Sequence, residues 1–282
     1  MDYATKQNGI GVGHDLESCT SEIRAVQCRH PNEAGEVVFV DTPGFDDTYK
    51  PDIEILSTIA DWLVKTYKNH DQLALIVYLH RISDNRMSGS PLRNLKIFAS
   101  MCGQVAMPAV VLGTTMWGYI QGNDGARREQ QLKDKFWADM IQSGCDVKRF
   151  ADSHESAWEI VGQLKHQANT QLAGEIVDEN KRLNETTAGV RLNEELKQLL
   201  AKQQETVRLL ADQAKKDGDP IIIGELEKER EELQGRITKI ADQLGQLSIP
   251  WTRRFVGFFR RKNKKNRDLK YAPSSSYWLL LN

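Results

Sequence analysis

The sharpest arrangement of chemistry-bearing residues follows the apolar run Val37-Val38-Phe39-Val40, which leads into Asp41-Thr42-Pro43-Gly44-Phe45-Asp46-Asp47-Thr48. An aspartate at the carboxyl end of a buried strand can reach a Mg²⁺ ion through water, because Mg²⁺ prefers oxygen ligands and keeps part of its hydration shell. The glycine three residues later lets a backbone N–H approach a terminal phosphate closely, the contact by which nucleotide-dependent segments are ordered. Upstream, Thr20 within Leu16-Glu17-Ser18-Cys19-Thr20-Ser21-Glu22 stands in a loop before the preceding strand, where a hydroxyl could become a second Mg²⁺ ligand. Thr20 and Asp41 are therefore the candidate metal ligands, and Gly44 is the candidate phosphate sensor. No residue type or spacing nominates a catalytic acid, base or nucleophile.

The elements that would position these residues alternate up to about residue 150. Leu73–Leu79 and Ala109–Leu112 are continuous apolar runs like Val37–Val40, the pattern of parallel strands covered on both faces. Between them, Ile53, Leu56, Ile59, Ala60, Leu63 and Val64 recur at helical spacing, as do Pro91–Met101 and Arg127–Ile141. A short strand near Asp146–Phe150 precedes a helix from about Ser153. Strands alternating with helices predict an α/β sheet with right-handed crossovers.

Beyond about residue 160 Glu, Gln, Lys, Leu and Asn dominate. Leu172, Ile176, Leu183 and Val190 form a loose heptad with Glu179 and Thr186 at the alternate seam positions, continued through Leu196, Leu200, Val207 and Leu210. Gly218-Asp219-Pro220 interrupts it, since proline is poorly tolerated inside a helix. Leu226, Arg230, Leu233, Ile237, Ile240, Leu244 and Leu247 then alternate steps of four and three, a coiled-coil seam broken only by Arg230. An antiparallel hairpin and two segments of an oligomeric coil both satisfy this pattern, and an amphipathic helix lying on the α/β region is the plainer alternative. These segments offer self-association or partner helices.

The net charge of -1 hides an asymmetry, because Thr252–Tyr271 carries nine Lys/Arg and one Asp. Trp251, Phe255, Phe258 and Phe259 interleave with those cations. That pattern suits an anionic membrane surface touched by residues 251–267, or a basic tail docked on the body. No global field points to a nucleic-acid partner. The four scattered cysteines show no zinc spacing and read as reduced core residues. Met1–Gly13 lacks the layout of a signal peptide and no apolar run reaches membrane-spanning length, so the expected location is cytoplasmic, peripheral to a membrane if the tail binds one.

Taken in order, these motifs resemble the GTPases of the septin-like and immunity-associated (AIG-type) branch. More closely, they are similar to fungal G-domain proteins that carry a coiled coil after that domain. The resemblance covers residues 10–165 and rests on the Asp41–Gly44 stretch, on Tyr78-Leu79-His80-Arg81-Ile82-Ser83-Asp84-Asn85-Arg86-Met87, on Thr114-Thr115-Met116-Trp117, and on Arg149-Phe150 with Ser156-Ala157-Trp158. It implies an α/β fold: a Ras-like three-layer G domain over 1–165, a helical coiled-coil arm over 166–248 and a basic aromatic tail over 249–282. It also implies GTP and Mg²⁺ as cofactors and GTP hydrolysis as the ancestral activity, with Gly44, Thr114, Thr115 and Trp117 at the nucleotide and Thr20 and Asp41 at the metal.

Two departures qualify that expectation. No GxxxxGK[ST] sequence is present; Gly9-Ile10-Gly11-Val12-Gly13 lacks both the lysine and the hydroxyl residue that cradle phosphates. Gly118 stands where the resemblance puts a guanine-reading aspartate, which removes the main hydrogen-bonded discriminator of the base. The G domain is therefore expected to be incomplete. Its central first strand is missing, and two interior sheet edges are exposed between the strands ending at Asp41 and at Leu79. Three explanations are open: a start at an internal methionine, direct pairing of the two strands, and a strand supplied by another chain. Two functional readings follow: a slow nucleotide switch with output through the coiled coil, and a nucleotide-free pseudo-GTPase scaffold.

Overall fold

The computed structural model describes residues 1–6, 23–32, 35–45, 50–71, 73–163, 168–216 and 220–248, and the backbone of 276–281. It is a mixed α/β body with long helices after it. Strands β1 (Arg24–Arg29), β2 (Glu36–Asp41), β3 (Leu73–Arg81), β4 (Val110–Thr115), β5 (Asp146–Arg149) and β6 (Ser276–Leu281) form one sheet in the order β1-β2-β6-β3-β4-β5. Only β1 runs antiparallel to its neighbour; β2, β6, β3, β4 and β5 are parallel.

The expectation of two bare interior edges is not met. β6 lies between β2 and β3, pairing Asp41 with Leu281 on one side and Val77 with Leu281 on the other. None of the three explanations anticipated this: the strand comes from residues 276–281 of the same chain, which the sequence reading had assigned to the tail. The physical reason is the pairing demand of β2 and β3. Both strands are buried on both faces, with Val37–Val40 and Leu73–Val77 nearly inaccessible, so an unpaired row of their N–H and C=O groups would be buried without partners.

The sheet's two faces are covered unequally. On one face Val38, Val40, Ile76, Tyr78, Val110 and Leu112 meet α2 (Asp52–Lys68), α3 (Ser90–Cys102), α7 (Gln171–Val177), α8 (Thr187–Ala214) and α9 (Pro220–Ser248) in a single core. On the other, Val37, Phe39, Ala74, Leu75, Val77 and Val111 pack beneath α6 (His154–Val161) and the short α1 (Asp2–Thr5). Trp158 of α6 ties α1 down by donating Nε1–H to the Ala4 carbonyl at 3.1 Å. Ser153 caps α6 through a reciprocal pair of bonds with Ser156, which supplies the start signal that the sequence implied.

The single helix expected over Arg127–Ile141 is divided into α4 (Asp124–Lys135) and α5 (Ala138–Gln142). The break turns Trp137 inward, where it is fully buried and meets the His80 ring edge-on at 6.0 Å. The loose heptad from Leu172 to Val190 is likewise not one helix. α7 ends at Val177, Asn180 takes a left-handed φ of 53°, Thr186 caps α8, and Val190 is exposed. Gly189 fits beneath this turn only because it has no side chain; a Cβ there would stand 1.9 Å from the Leu183 carbonyl oxygen.

α8 and α9 pack along one another as an antiparallel hairpin: Asn184, just before α8, donates to the carbonyl of Leu247 at the end of α9 at 3.0 Å. Along the seam Ile237, Ile240 and Leu247 are buried and Leu226, Arg230, Leu233 and Leu244 are partly buried. The plainer alternative is also partly realised. Ala188, Leu192 and Leu196 of α8 and Ile240 and Leu247 of α9 belong to the body's core, and Lys96 of α3 pairs with buried Glu195 at 2.7 Å. The proximal half of the hairpin thus lies on the body, whereas the distal half, with Leu209, Ile221 and Ile222 exposed, does not.

Candidate functional site

Because β2, β3, β4 and β5 run parallel, their carboxyl ends share one edge, the place where open α/β sheets bind ligands. The topology therefore brings Asp41–Gly44, Arg81–Asp84, Thr114–Trp117 and Arg149 to one side. Asp41 ends β2, opposite Arg24 of β1. Thr42 is buried, Gly44 is exposed with open space around it, and Phe45 turns into the core. Asn94 of α3 fixes this segment by donating to the Phe45 carbonyl at 3.3 Å. Thr20, Asp46, Asp47 and Thr48 lie outside the described residues, as does the glycine-rich stretch 9–13. Among the described residues no group of three or more His, Cys, Asp or Glu side chains is placed to hold a metal ion.

Thr114 and Trp117 meet, together with Arg149 of the last matched motif and with Glu129, which sequence reasoning did not nominate. Thr114 is fully buried, with its hydroxyl 3.4 Å from Glu129 Oε1. Met116 adopts a left-handed φ of 61°, which folds the chain back so that Trp117 donates Nε1–H to Thr114 Oγ1 at 3.1 Å. The Arg149 guanidinium lies 4.2 Å from the centre of the Trp117 ring, a cation–π stack. Its Nε and Nη2 reach Glu129 at 3.0 and 2.6 Å, a two-pronged charge-assisted pair. The ring also rests on α4, where a Cβ at Gly125 would come within 2.8 Å of Trp117 Cζ3. Thr115 stands apart, its hydroxyl turned toward the His80 carbonyl at 3.5 Å.

Glu129 organises this cluster. Burial pushes its pKa up, but the hydrogen bonds from Arg149 and the charges of Lys133 and Arg149 outweigh burial and hold it below the ordinary carboxylate range. Glu129 is therefore ionised at neutral pH, where it faces the two cations Arg149 and Lys133. A buried glutamate one turn before Lys133 on a polar helix reads from sequence as a solvated i,i+4 pair, so no signal marked it; the burial comes from the sheet.

The Arg81–Arg86 segment is clamped by Arg128 of α4. Arg128 Nη1 donates to the carbonyls of Ile82 and Ser83, both at 3.0 Å, and Nη2 to Asn85 Oδ1 at 2.8 Å. Beneath it His80, Asp84, Gln131 and Phe136 help to bound a cavity of about 50 Å³. Burial lowers the His80 pKa, which keeps the imidazole neutral. This space suits a few waters, against the several hundred Å³ typical of small-molecule sites.

An ion pair buried on both sides joins the first turns of α2 and α3. Asp52, at the start of α2, meets Arg93 of α3 at 3.1 Å, with both side chains under a tenth exposed. The Asp52 N–H donates to Gln243 Oε1 of α9 at 3.1 Å. The start of α2 is thereby hydrogen-bonded to the helical hairpin.

Comparison with protein-family models and with curated proteins gives no match.

Proposed function

We propose that the chain is a nucleotide-free, GTPase-like scaffold, a pseudo-GTPase whose α/β body presents the α8–α9 hairpin for association. The observation that carries this reading is the closed cluster at the base-reading position. Arg149 covers Trp117, Glu129 neutralises Arg149, and Trp117 spends its only polar hydrogen on Thr114. A guanine would have to displace Arg149 from the ring, and Gly118 offers no carboxylate in exchange.

GTP and Mg²⁺ do not fit the described residues, where Arg149 covers the ring that would stack on a base and no cluster of acidic side chains is placed for a metal ion. The ancestral plan is supported by the convergence of Asp41–Gly44, Thr114–Trp117 and Arg149 on one edge, and by a strand held between β2 and β3. Coupling to the arm is supported by the Asp52–Gln243 hydrogen bond, which ties the former switch region to α9. The exposed Leu209, Ile221 and Ile222 mark the distal hairpin as the surface for partner helices or a second copy. No helix among the described residues is long and apolar enough to cross a membrane; the stretch proposed to touch an anionic membrane surface, 251–267, lies outside them.

The test is a titration of the purified chain with a fluorescent GTP analogue and Mg²⁺. No saturable binding is expected at micromolar concentrations. Micromolar binding that Asp41→Ala abolishes would overturn the scaffold reading in favour of a nucleotide switch.

A further inference from the structure

The slot between β2 and β3 is built unlike the rest of the sheet. Its walls are sequence neighbours joined by α2, and both are already buried by helices on the two faces. Its occupant is the one central strand delivered from a distance: 27 residues separate Ser248, the end of α9, from Ser276. A chain of that length reaches up to about 90 Å when extended, whereas a compact body of this size has a radius of gyration of about 19 Å. The connection is long enough to deliver the strand to the chain's own slot or to that of a neighbour. The contacts made would be identical in either case.

We propose that this slot is a strand-acceptor site that also takes residues 276–281 of a second copy, giving a strand-exchanged dimer. The exchanged interface is the one already formed within the chain: Glu36–Asp41 against Ser276–Leu281 on one side, and Leu73–Val77 against Trp278–Leu281 on the other. Exchange therefore creates no new side-chain requirement and loses no ladder. What opposes it is the effective concentration of the chain's own strand, on the order of millimolar for a tethered segment. Dilute chains close on themselves. Chains that refold crowded, or are gathered through their hairpins, exchange. Since β6 is paired on both sides, withdrawal breaks two ladders at once, so either form is kinetically trapped once made.

This inference is independent of whether the carboxyl edge binds nucleotide. The full chain is unfolded in denaturant, refolded at micromolar and at near-millimolar concentration, then diluted and sized by light scattering. The crowded sample is expected to hold a dimer that persists after dilution, and the dilute sample a monomer. Leu279→Pro, which removes a ladder N–H in the middle of β6, is expected to abolish that dimer and the cooperative unfolding of the α/β body. A peptide of residues 270–282 added to the Leu279→Pro chain is expected to restore cooperative unfolding saturably, and the same peptide carrying the proline is not. The proposal is overturned if the crowded wild-type sample holds no dimer that persists on dilution, if Leu279→Pro melts like the wild type or forms that dimer equally well, or if the unmodified peptide restores nothing.

Discussion

Glu175 is buried at the end of α7, and every group around its two oxygens donates. Oε1 accepts from Gln171 Nε2 at 3.0 Å, Lys181 Nζ at 3.3 Å and Thr187 Oγ1 at 2.6 Å; Oε2 accepts from the Thr187 N–H at 2.8 Å. Glu175→Ala strands the Thr187 N–H at the start of α8 and removes charge-assisted bonds to two neutral donors. Thr187 is an exposed residue whose N–H water can reach in part, so the expected loss is about 2 kcal/mol. Lys181 adds little because its ammonium is solvated. Glu175→Gln is the sharper probe. It keeps the volume but places an NH₂ among donors, and is expected to cost about 2 kcal/mol. Urea unfolding followed by circular dichroism reads both values.

The pH dependence follows from the same contacts. Burial pushes the Glu175 pKa up, but the hydrogen bonds from Thr187, Gln171 and Lys181 prevail and hold it below the ordinary value. The stabilisation is therefore complete above the unfolded pKa, about 4.3, and disappears as pH falls through the lowered folded value. The gap between wild type and Glu175→Gln should be constant near neutrality and shrink below about pH 4. A Gln variant within about 0.5 kcal/mol of wild type at pH 7 would refute the assignment of Glu175 as the anchor of the α7–α8 turn.

Asp52→Ala should cost about 1–3 kcal/mol, because it removes a charge-assisted partner from the buried Arg93 guanidinium, and replacing both partners by apolar residues should recover most of the loss in chemical denaturation. Replacing residues 205–233 by a short turn should change the stability of the body by less than about 1 kcal/mol, since the core contacts of the hairpin lie nearer its base; the same change should abolish any reversible self-association seen by sedimentation. Burial raises the Cys145 thiol to about 12 and the Cys102 thiol further, so iodoacetamide at pH 8 should leave both unmodified in the native protein and label them after unfolding, as mass spectrometry would show.

The elements whose evidence is local were legible in the sequence. Val37–Val40, Leu73–Leu79 and Ala109–Leu112 are apolar on both faces because both faces are covered, and the α9 seam from Leu226 to Leu247 repeats at the spacing of a helix that packs along one side. Cys102 and Cys145 are buried, as small apolar residues should be, while Cys28 is half-buried and Cys19 lies outside the described residues. What escaped depends on partners distant in sequence. Residues 276–281 are an apolar hexapeptide whose strand role is decided by β2 and β3, more than 190 positions earlier. The break at Phe136–Trp137 serves the burial of Trp137 under β3, which helical periodicity does not encode. At the candidate site, Thr114, Trp117 and Arg149 were visible through the order of motifs. The closure of the cluster was not, because it turns on Glu129, whose neighbours in sequence are those of a surface residue.

The claim that the carboxyl edge is closed to nucleotide is tested most directly by amide hydrogen exchange of the full chain, measured with and without millimolar GTP and Mg²⁺. The account predicts unchanged exchange at residues 41–44, 114–118 and 149–150. Protection confined to those three segments, and lost on Asp41→Ala, would contradict it.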